Sequence, residues 1–430
     1  MPMPEMTNAT YLTYRRDVGA IPAYAIWHAL RAAEVDVFMD LDSALDEGVR
    51  ALISAQIAAR PYFVLVATHG SLERCAERGD WLRFQLERAR EAQAQVIAVH
   101  PPEFPFEQAA RALGDLLEQA IAFPIAYESI PADIARLRLR HLKARPAREA
   151  PAPDSALLAE WQARLKALPA VTADQIAAQK LFERAFTRPQ GDWQGRIEDY
   201  TAALERYPEF ASALARRGAN REILDDLRGA MEDFNAALRL NPLHDVAYVN
   251  RSVLFAKLGD LHSALRDLNE ALRLNPTLTL AYYHRAVAFN NRGDYDSAIA
   301  DLNMAIQLEP RAIFYFQRGL AYSGKGDDGN ALADYTEALR LDPKLAEAYY
   351  NRGLIRAKSD MRRAVADWTA ALKADPNLAE AYYNRGLARA QWGDAQGALE
   401  DMLKFLELMP DHEKTAEVRE VIESLRQLRG

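Results

Sequence analysis

The sequence predicts an N-terminal α/β domain with a mostly parallel sheet in a three-layer arrangement, followed by an all-α superhelix of helical hairpins. Two observations predict this fold class. Short apolar runs alternate with amphipathic segments over the first 142 residues, as in parallel sheets covered by helices. Beyond about residue 177, the sequence instead repeats itself every 33 or 34 residues, a period typical of helical repeats.

Four apolar runs in the N-terminal region are predicted to be strands, at about 9–14, 35–39, 62–67 and 95–99. The amphipathic segments between and after them are predicted to be helices, at about 20–33, 46–59, 79–92 and 106–120. Ligands of parallel sheets bind beyond the carboxyl ends of the strands. Those ends correspond here to residues 14–17, 40–43, 68–71 and 100–103.

A segment rich in proline and alanine, residues 143–153, follows this region and is predicted to be a linker. Asp154 or Ser155 is suited to cap a helix that ends near Leu168 and leads into the repeats. The predicted organisation is therefore an α/β domain over 6–142, a linker with a lead-in helix over 143–176, a repeat array over 177–412 and a capping helix over 413–430.

Prolines mark the ends of successive repeats, at Pro208, Pro242, Pro276, Pro310, Pro343, Pro376 and Pro410. Small residues recur at fixed positions inside the units, for example Ala230, Ala264 and Ala298. The pattern resembles the tetratricopeptide (TPR) repeat, in which two antiparallel helices form each unit. Six units are clear between 211 and 412, and a degenerate one precedes them at about 177–210, with a break at Pro189. The resemblance implies a concave groove that binds a protein or peptide.

The TPR resemblance also implies which side chains line that groove. They are one aromatic residue and one amide or histidine per repeat: Asn250, Tyr283, His284, Phe316, Gln317, Tyr350, Asn351, Tyr383 and Asn384. The alternative is that the aromatic rings pack between repeats and the amides are merely solvated. A second periodic pattern pairs an arginine of the first helix with an aspartate of the second, as in Arg318 and Asp334. Recurrence in every unit favours a structural ion pair, with a polyanion site as the alternative.

Four motifs in the N-terminal region resemble those of bacterial Toll/interleukin-1 receptor (TIR) domains. They are TYRRD at 13–17, DVFMDLDS at 36–43, HGSLERC at 69–75 and GDWLR at 79–83. The resemblance implies a flavodoxin-like fold and either of two functions. One is signalling through TIR–TIR assembly, and the other is cleavage of NAD at the nicotinamide–ribose bond, often in bacterial immunity. It places the nucleotide pocket at Tyr14, Arg15, Asp42, Ser43 and Trp81.

The position of the family's catalytic glutamate, four residues after the tryptophan, is occupied by Gln85. A neutral amide does not stabilise the cationic transition state that a carboxylate would. We therefore predict signalling by assembly or nucleotide sensing, with no required cofactor and NAD or a related nucleotide as an optional ligand. The alternative is an NADase regulated by the array. A further alternative for the pocket is that Arg15 and Arg16 pair with Asp40 or Asp42 while Trp81 packs under the sheet.

Composition narrows the classes of partner. The 430 residues carry a net charge of −8, which disfavours nucleic acid or an anionic membrane as the main partner. The only cysteine, Cys75, excludes an intrachain disulfide and a cysteine-based zinc site, and no metal site is expected. No apolar run is long enough to span a bilayer, and no signal peptide precedes the first motif, so we expect a cytoplasmic protein. A near P-loop at 319–326 lacks the final Ser or Thr and is predicted to be part of a repeat.

Overall fold

The computed structural model describes residues 6–41, 47–69, 71–72, 75, 80–113, 116–117, 119–146 and 154–427. Its contacts divide the chain into two compact units, residues 1–284 and 285–430. The first unit holds a parallel sheet and the first helical hairpins. The second holds the remaining hairpins and the C-terminal helix.

A five-stranded parallel sheet forms the centre of the N-terminal region, in the order β3-β2-β4-β5-β6. Its strands are β2 Thr10–Tyr14, β3 Val37–Met39, β4 Tyr62–Val66, β5 Gln95–His100 and β6 Ile121–Pro124. A separate antiparallel pair joins β1 Met6–Thr7 to β7 Arg145–Pro146. The four predicted strands are confirmed, whereas β1, β6 and β7 were not predicted.

The helices that connect the strands lie on both faces of the sheet. They are α1 Arg16–Ala32, α2 Glu47–Ala58, α3 Trp81–Glu91, α4 Phe106–Leu113 and α5 Ile130–Arg140. Because the chain moves outward from β2 to β3 and then back past β2 to β4, right-handed crossovers place α1 opposite α2 and α3. Accordingly, α1 packs with α5, and α2 packs with α3. The reversal of direction falls between β2 and β4, where sheets of this type leave a crevice for ligands.

Helix α6, Ser155–Lys166, completes the core of the sheet domain and does more than lead into the array. Asp154 caps it by accepting hydrogen bonds from the backbone N–H groups of Ala156 and Leu157. Trp161 and Leu165 belong to the same buried cluster as the strands. The indole Nε1 of Trp161 donates to the carbonyl of Met39 at 3.0 Å. A cut at residue 142 would therefore expose the core that Trp161 covers.

The helices that follow α6 in the first unit pair as hairpins. They are α7 Ala173–Thr187 with α8 Trp193–Arg206, α9 Ala211–Ile223 with α10 Leu227–Leu240, and α11 Asp245–Lys257 with α12 Leu261–Leu274. The predicted break at Pro189 is the turn between α7 and α8, where Gly191 has a φ of +90°. The next helix, α13 Thr279–Asn291, spans the boundary between the two units.

The second unit continues the same arrangement. It contains α14 Tyr295–Leu308, the pairs α15 Ala312–Gly324 with α16 Asp328–Leu341, α17 Ala346–Arg356 with α18 Met361–Ala374, α19 Ala379–Gln391 with α20 Ala395–Leu408, and the terminal α21 Thr415–Gln427. Helix α21 packs on α20, burying Val418 and Ile422 together with Phe405. This contact covers the apolar face of the last hairpin.

In most hairpins the turn between the two helices contains a glycine followed by an aspartate. Glycines such as Gly326 adopt a positive φ, a conformation that costs other residues free energy. The aspartate that follows caps the second helix, as Asp327 does by accepting from the backbone N–H of Asn330. The same cap recurs at Asp192, Asp226, Asp260, Asp294, Asp360 and Asp394.

Candidate functional site

The first candidate site lies at the carboxyl edge of the sheet and is centred on Gln85 of α3. Its side chain is fully buried. Its Oε1 accepts a hydrogen bond from the hydroxyl of Thr13, at the end of β2. Its Nε2 donates to Oδ2 of Asp40, just after β3, at 2.8 Å. The amide therefore joins two neighbouring strand ends, with both of its polar atoms satisfied inside the protein.

Trp81 contributes to the same network through its indole nitrogen, which donates to Oδ2 of Asp40 at 2.6 Å. Its ring stacks on Phe84 at 5.0 Å, and the guanidinium of Arg50 lies 5.9 Å from the ring centroid. Asp40 thus accepts from two neutral donors of α3. The expected alternative paired Arg15 with Asp40 or Asp42, whereas the carboxylate that binds Arg15 in bidentate fashion is that of Asp80.

Arg15 is buried and pairs with Asp80 in a bidentate geometry, with both N–O distances at 3.0 Å. Its Nε also donates to the carbonyl of Ser71 at 2.6 Å. Asp80 has a second role, because its side chain caps α3 by accepting from the backbone N–H of Arg83. One ion pair therefore ties the end of β2, the segment after β4 and the start of α3 together.

Cys75 is buried beside this ion pair, with its Sγ 3.5 Å from a guanidinium nitrogen of Arg15. Burial raises the pKa of the thiol to about 12, an effect that the nearby Arg15 only partly offsets. A thiol with such a pKa is protonated at neutral pH and is a poor nucleophile. The surroundings of Cys75 therefore do not favour a reactive thiolate.

Two residues predicted for the nucleotide pocket, Asp42 and Ser43, lie outside the described residues, and so does the side chain of Arg16. Tyr14 is described and is buried, with its ring 6.0 Å from that of Tyr24 in an edge-to-face contact. The structure brings Arg15, Trp81 and Gln85 to one edge of the sheet. Thr13, Ser71 and Asp80 lie within the quoted motifs but were not predicted as site residues, because their partners are far away along the chain.

The second candidate site is the helical array, which is held together by the recurring arginines and aspartates. Six arginines of the first helices form ion pairs of 2.6–2.8 Å with buried aspartates of the second helices. Five of these arginines use another guanidinium nitrogen to donate a hydrogen bond to the side-chain oxygen of a Thr or Asn in the preceding hairpin, at 2.6–3.2 Å. Because these guanidinium groups are engaged inside the protein, the geometry supports the structural ion pair over the polyanion site.

Family models of the tetratricopeptide repeat match four stretches of the chain, residues 222–279, 279–311, 319–360 and 357–425. The C-terminal repeats are tetratricopeptide repeats. No curated protein matches the sequence.

Several solved structures are similar to the TPR array. One is YrrB, described as a TPR protein with an unusual peptide-binding site, at 24% identity over 44% of this chain and 99% of that one, with a TM-score of 0.36. A tetratricopeptide repeat protein of Parabacteroides merdae is 19% identical over 58% of this chain and 99% of that one, with a TM-score of 0.45. The APC/C hetero-tetramer Cut9–Hcn1 is 16% identical over 62% of this chain and 59% of that one, with a TM-score of 0.47.

The residues predicted for the TPR groove have different environments in the structure. In the first unit, Asn250, Tyr283 and His284 are half-buried, and burial lowers the pKa of His284 to about 4. In the second unit, Gln317 and Tyr350 are also half-buried. These five side chains remain candidates for contact with a partner.

The other four predicted groove residues make contacts within the second unit, in one case with Tyr350 itself. Phe316 is buried against Tyr335, which belongs to the second helix of the same hairpin, with the ring centroids 5.9 Å apart. The amide of Asn351 donates to the carbonyl of Glu347, and that of Asn384 donates to the hydroxyl of Tyr350. Tyr383 is covered by α21, since its hydroxyl donates to Glu417 at 3.0 Å and Lys414 lies over its ring.

Within the described part of the chain, no group of three or more His, Cys, Asp or Glu side chains is arranged to hold a metal ion. The described helices also include none with the length and apolar character that a membrane crossing needs.

Proposed function

We propose that the protein is an adaptor of a bacterial signalling or defence system. Its TPR array binds a protein or peptide partner, and its N-terminal TIR-type domain acts by self-association. The observation that carries this proposal is the run of tetratricopeptide repeats, because such repeats imply interaction with a protein or peptide.

Two features of the sheet domain support assembly over NAD cleavage. The position of the family's catalytic carboxylate holds a neutral amide, and that amide is fully buried between Thr13 and Asp40. Arg15, which the resemblance assigns to the nucleotide pocket, is paired with Asp80. A nucleotide that used Arg15 would first have to displace Asp80, at a cost of several kcal/mol for breaking a buried pair.

An NAD-consumption assay on the purified full-length chain tests the sheet domain. We expect no loss of NAD over hours at micromolar protein, whereas turnover by the wild type would replace this proposal with the NADase alternative.

The same preparation tests assembly by sedimentation over a hundredfold range of protein concentration. We expect the average molecular mass of the sedimenting protein to rise with its concentration. A protein that stays monomeric at every concentration would contradict TIR–TIR association.

Binding by the array is tested with a library of immobilised peptides probed with the full-length protein. We expect a subset of peptides to bind, and the substitutions Gln317→Ala and Tyr350→Ala to weaken that binding. The control is Arg340→Ala, which removes an exposed side chain paired with Glu337 on the same helix. Equal effects from the control and the groove variants would argue against this surface.

A further inference from the structure

A cleft of about 350 Å³ lies in the first unit, where the loops after β4, β5 and β6 meet helix α7. It is distinct from the network around Gln85. Its walls include His69, Glu103, Tyr127, Lys180 and Glu183. The sheet domain and the first helix of the array thus contribute to the same cleft.

The cationic side chains of this cleft are already paired. The ammonium of Lys180 binds Glu128, which also lines the cleft. The guanidinium of Arg184 binds Asp199 of α8 through its Nε, at 2.9 Å. Asp199 receives a further ion pair from Arg188 at 2.8 Å. These positive charges are therefore compensated by carboxylates of the protein.

Glu183 differs from these paired side chains, because only one of its two carboxylate oxygens has a hydrogen-bond partner in the part of the chain that the structure describes. The residue is 3% exposed, and its Oε1 accepts from the hydroxyl of Tyr127 and from Nε2 of Gln179, the latter at 2.7 Å. Its Oε2 is buried without a hydrogen-bond partner among the described residues. Nδ1 of His69 lies 3.8 Å from Oε2 and also lacks a hydrogen-bond partner among the described residues. A buried carboxylate oxygen left in this state costs free energy.

A second carboxylate, that of Glu103, lies on the same cleft and is exposed. Among the described residues it forms no ion pair within 4.0 Å. Its charge and that of Glu183 act on the same group, because both raise the pKa of Tyr127 beyond the large effect of burial. The cleft therefore combines the carboxylate of Glu103, unpaired within the described ranges, and the half-satisfied carboxylate of Glu183, which has the imidazole of His69 beside it, with two cations that are already paired.

We propose that this cleft binds a small organic cation, with a primary ammonium or guanidinium group held between Glu183 and Glu103. Such a group donates charge-assisted hydrogen bonds and would satisfy Oε2 of Glu183. The aliphatic part of the ligand would lie against Pro101 and Pro102, which also line the cleft. Since Nδ1 of His69 lies 3.8 Å from Oε2, we expect the ring to turn aside when the ligand enters. This inference is independent of the proposed function.

Calorimetric titration of the full-length protein with agmatine and with putrescine tests the proposal, and 1,4-butanediol serves as the neutral counterpart. We expect saturable one-site binding of at least one of the two amines and no binding of the diol. Glu183→Gln should weaken binding at least tenfold. The exposed Glu103→Gln should weaken it at least threefold without affecting the fold.

The matched control is Glu107→Gln, which removes the same charge from an exposed side chain of α4, outside the walls of the cleft. Its affinity for the amine should stay within twofold of the wild type, and His69→Ala should bind at least as tightly as the wild type. Failure of both amines to bind would overturn the proposal. So would equal affinity of the wild type and both cleft variants, or binding of Ca²⁺ at the same residues in preference to the amines.

Discussion

The Nε2 of Gln85 donates a hydrogen bond of 2.8 Å to Oδ2 of Asp40, and both side chains are almost completely buried. An amide suits this position because it donates to the carboxylate of Asp40 and accepts from Thr13 at the same time. A carboxylate at residue 85 would instead face Asp40 with a second negative charge. The replacement Gln85→Glu, which would introduce the glutamate of the TIR domains that this region resembles, thus conflicts with the surroundings.

We predict that Gln85→Glu destabilises the protein by about 2–4 kcal/mol at pH 7, since a buried charge loses its donor and faces a like charge. The introduced carboxyl should have a pKa above its ordinary value of about 4.3. Stability should therefore be close to that of the wild type below pH 4 and fall as pH rises through the raised pKa. Urea unfolding at several pH values measures this, with Glu87→Gln on the same helix as the control. Equal stability of wild type and variant at pH 7 would contradict the argument.

The repeat pattern could be predicted from the sequence because each unit depends on neighbours within about 34 residues. The alternation of strands and helices could be predicted as well, because it too depends on residues that are close together along the chain. The strand Ile121–Pro124 was missed because it has only four residues, is partly exposed and ends in a proline. The pairing of Arg15 with Asp80 was missed because these residues are 65 positions apart, and only the folded sheet brings them together. Tyr383 fits the groove pattern, but α21 covers it.

The ion pair between Arg318 and Asp334 supports a second prediction. Nitrogen atoms of Arg318 donate to both oxygens of Asp334, at 2.8 and 2.7 Å, and a third nitrogen donates to Asn303 at 2.6 Å. Arg318→Ala leaves the buried carboxylate without a partner and should cost about 2–4 kcal/mol. Arg318→Lys should have an intermediate effect, because an ammonium lacks the bidentate geometry.

Hydrogen exchange of α15 and α16 is the suitable measurement for Arg318→Ala, since repeat arrays do not always unfold in one step. Protection of these two helices should fall in the variant. Arg340→Ala removes an exposed arginine of α16 and should leave protection unchanged. A loss of protection equal in both variants would show that the pair with Asp334 has no special role.

A third prediction concerns Gly319, which begins the segment that resembles a P-loop. A Cβ atom at this position would lie 2.6 Å from Cε1 of Tyr335, so the glycine permits close packing of α15 on α16. Gly319→Ala should destabilise the array by about 1–3 kcal/mol through overpacking. At Gly329 the nearest atom would be 3.7 Å away, so Gly329→Ala should stabilise helix α16 by up to about 1 kcal/mol. Thermal unfolding of the two variants should shift in opposite directions, and a shared direction would contradict the packing argument.

The last prediction follows from the burial of His284, which lowers its pKa from 6.5 to about 4. Because the folded state binds the proton less tightly than the unfolded state, this residue contributes stability above pH 6.5. The contribution is lost as pH falls from 6.5 towards 4, and roughly 2 kcal/mol should be gone at pH 5. Urea unfolding of the wild type and His284→Gln at pH 7 and pH 5 measures the difference, with the same substitution at the exposed His262 as the control. An NMR titration of His284 with a midpoint near 6.5 would contradict the prediction, because the ring would then be solvated and would not resist protonation.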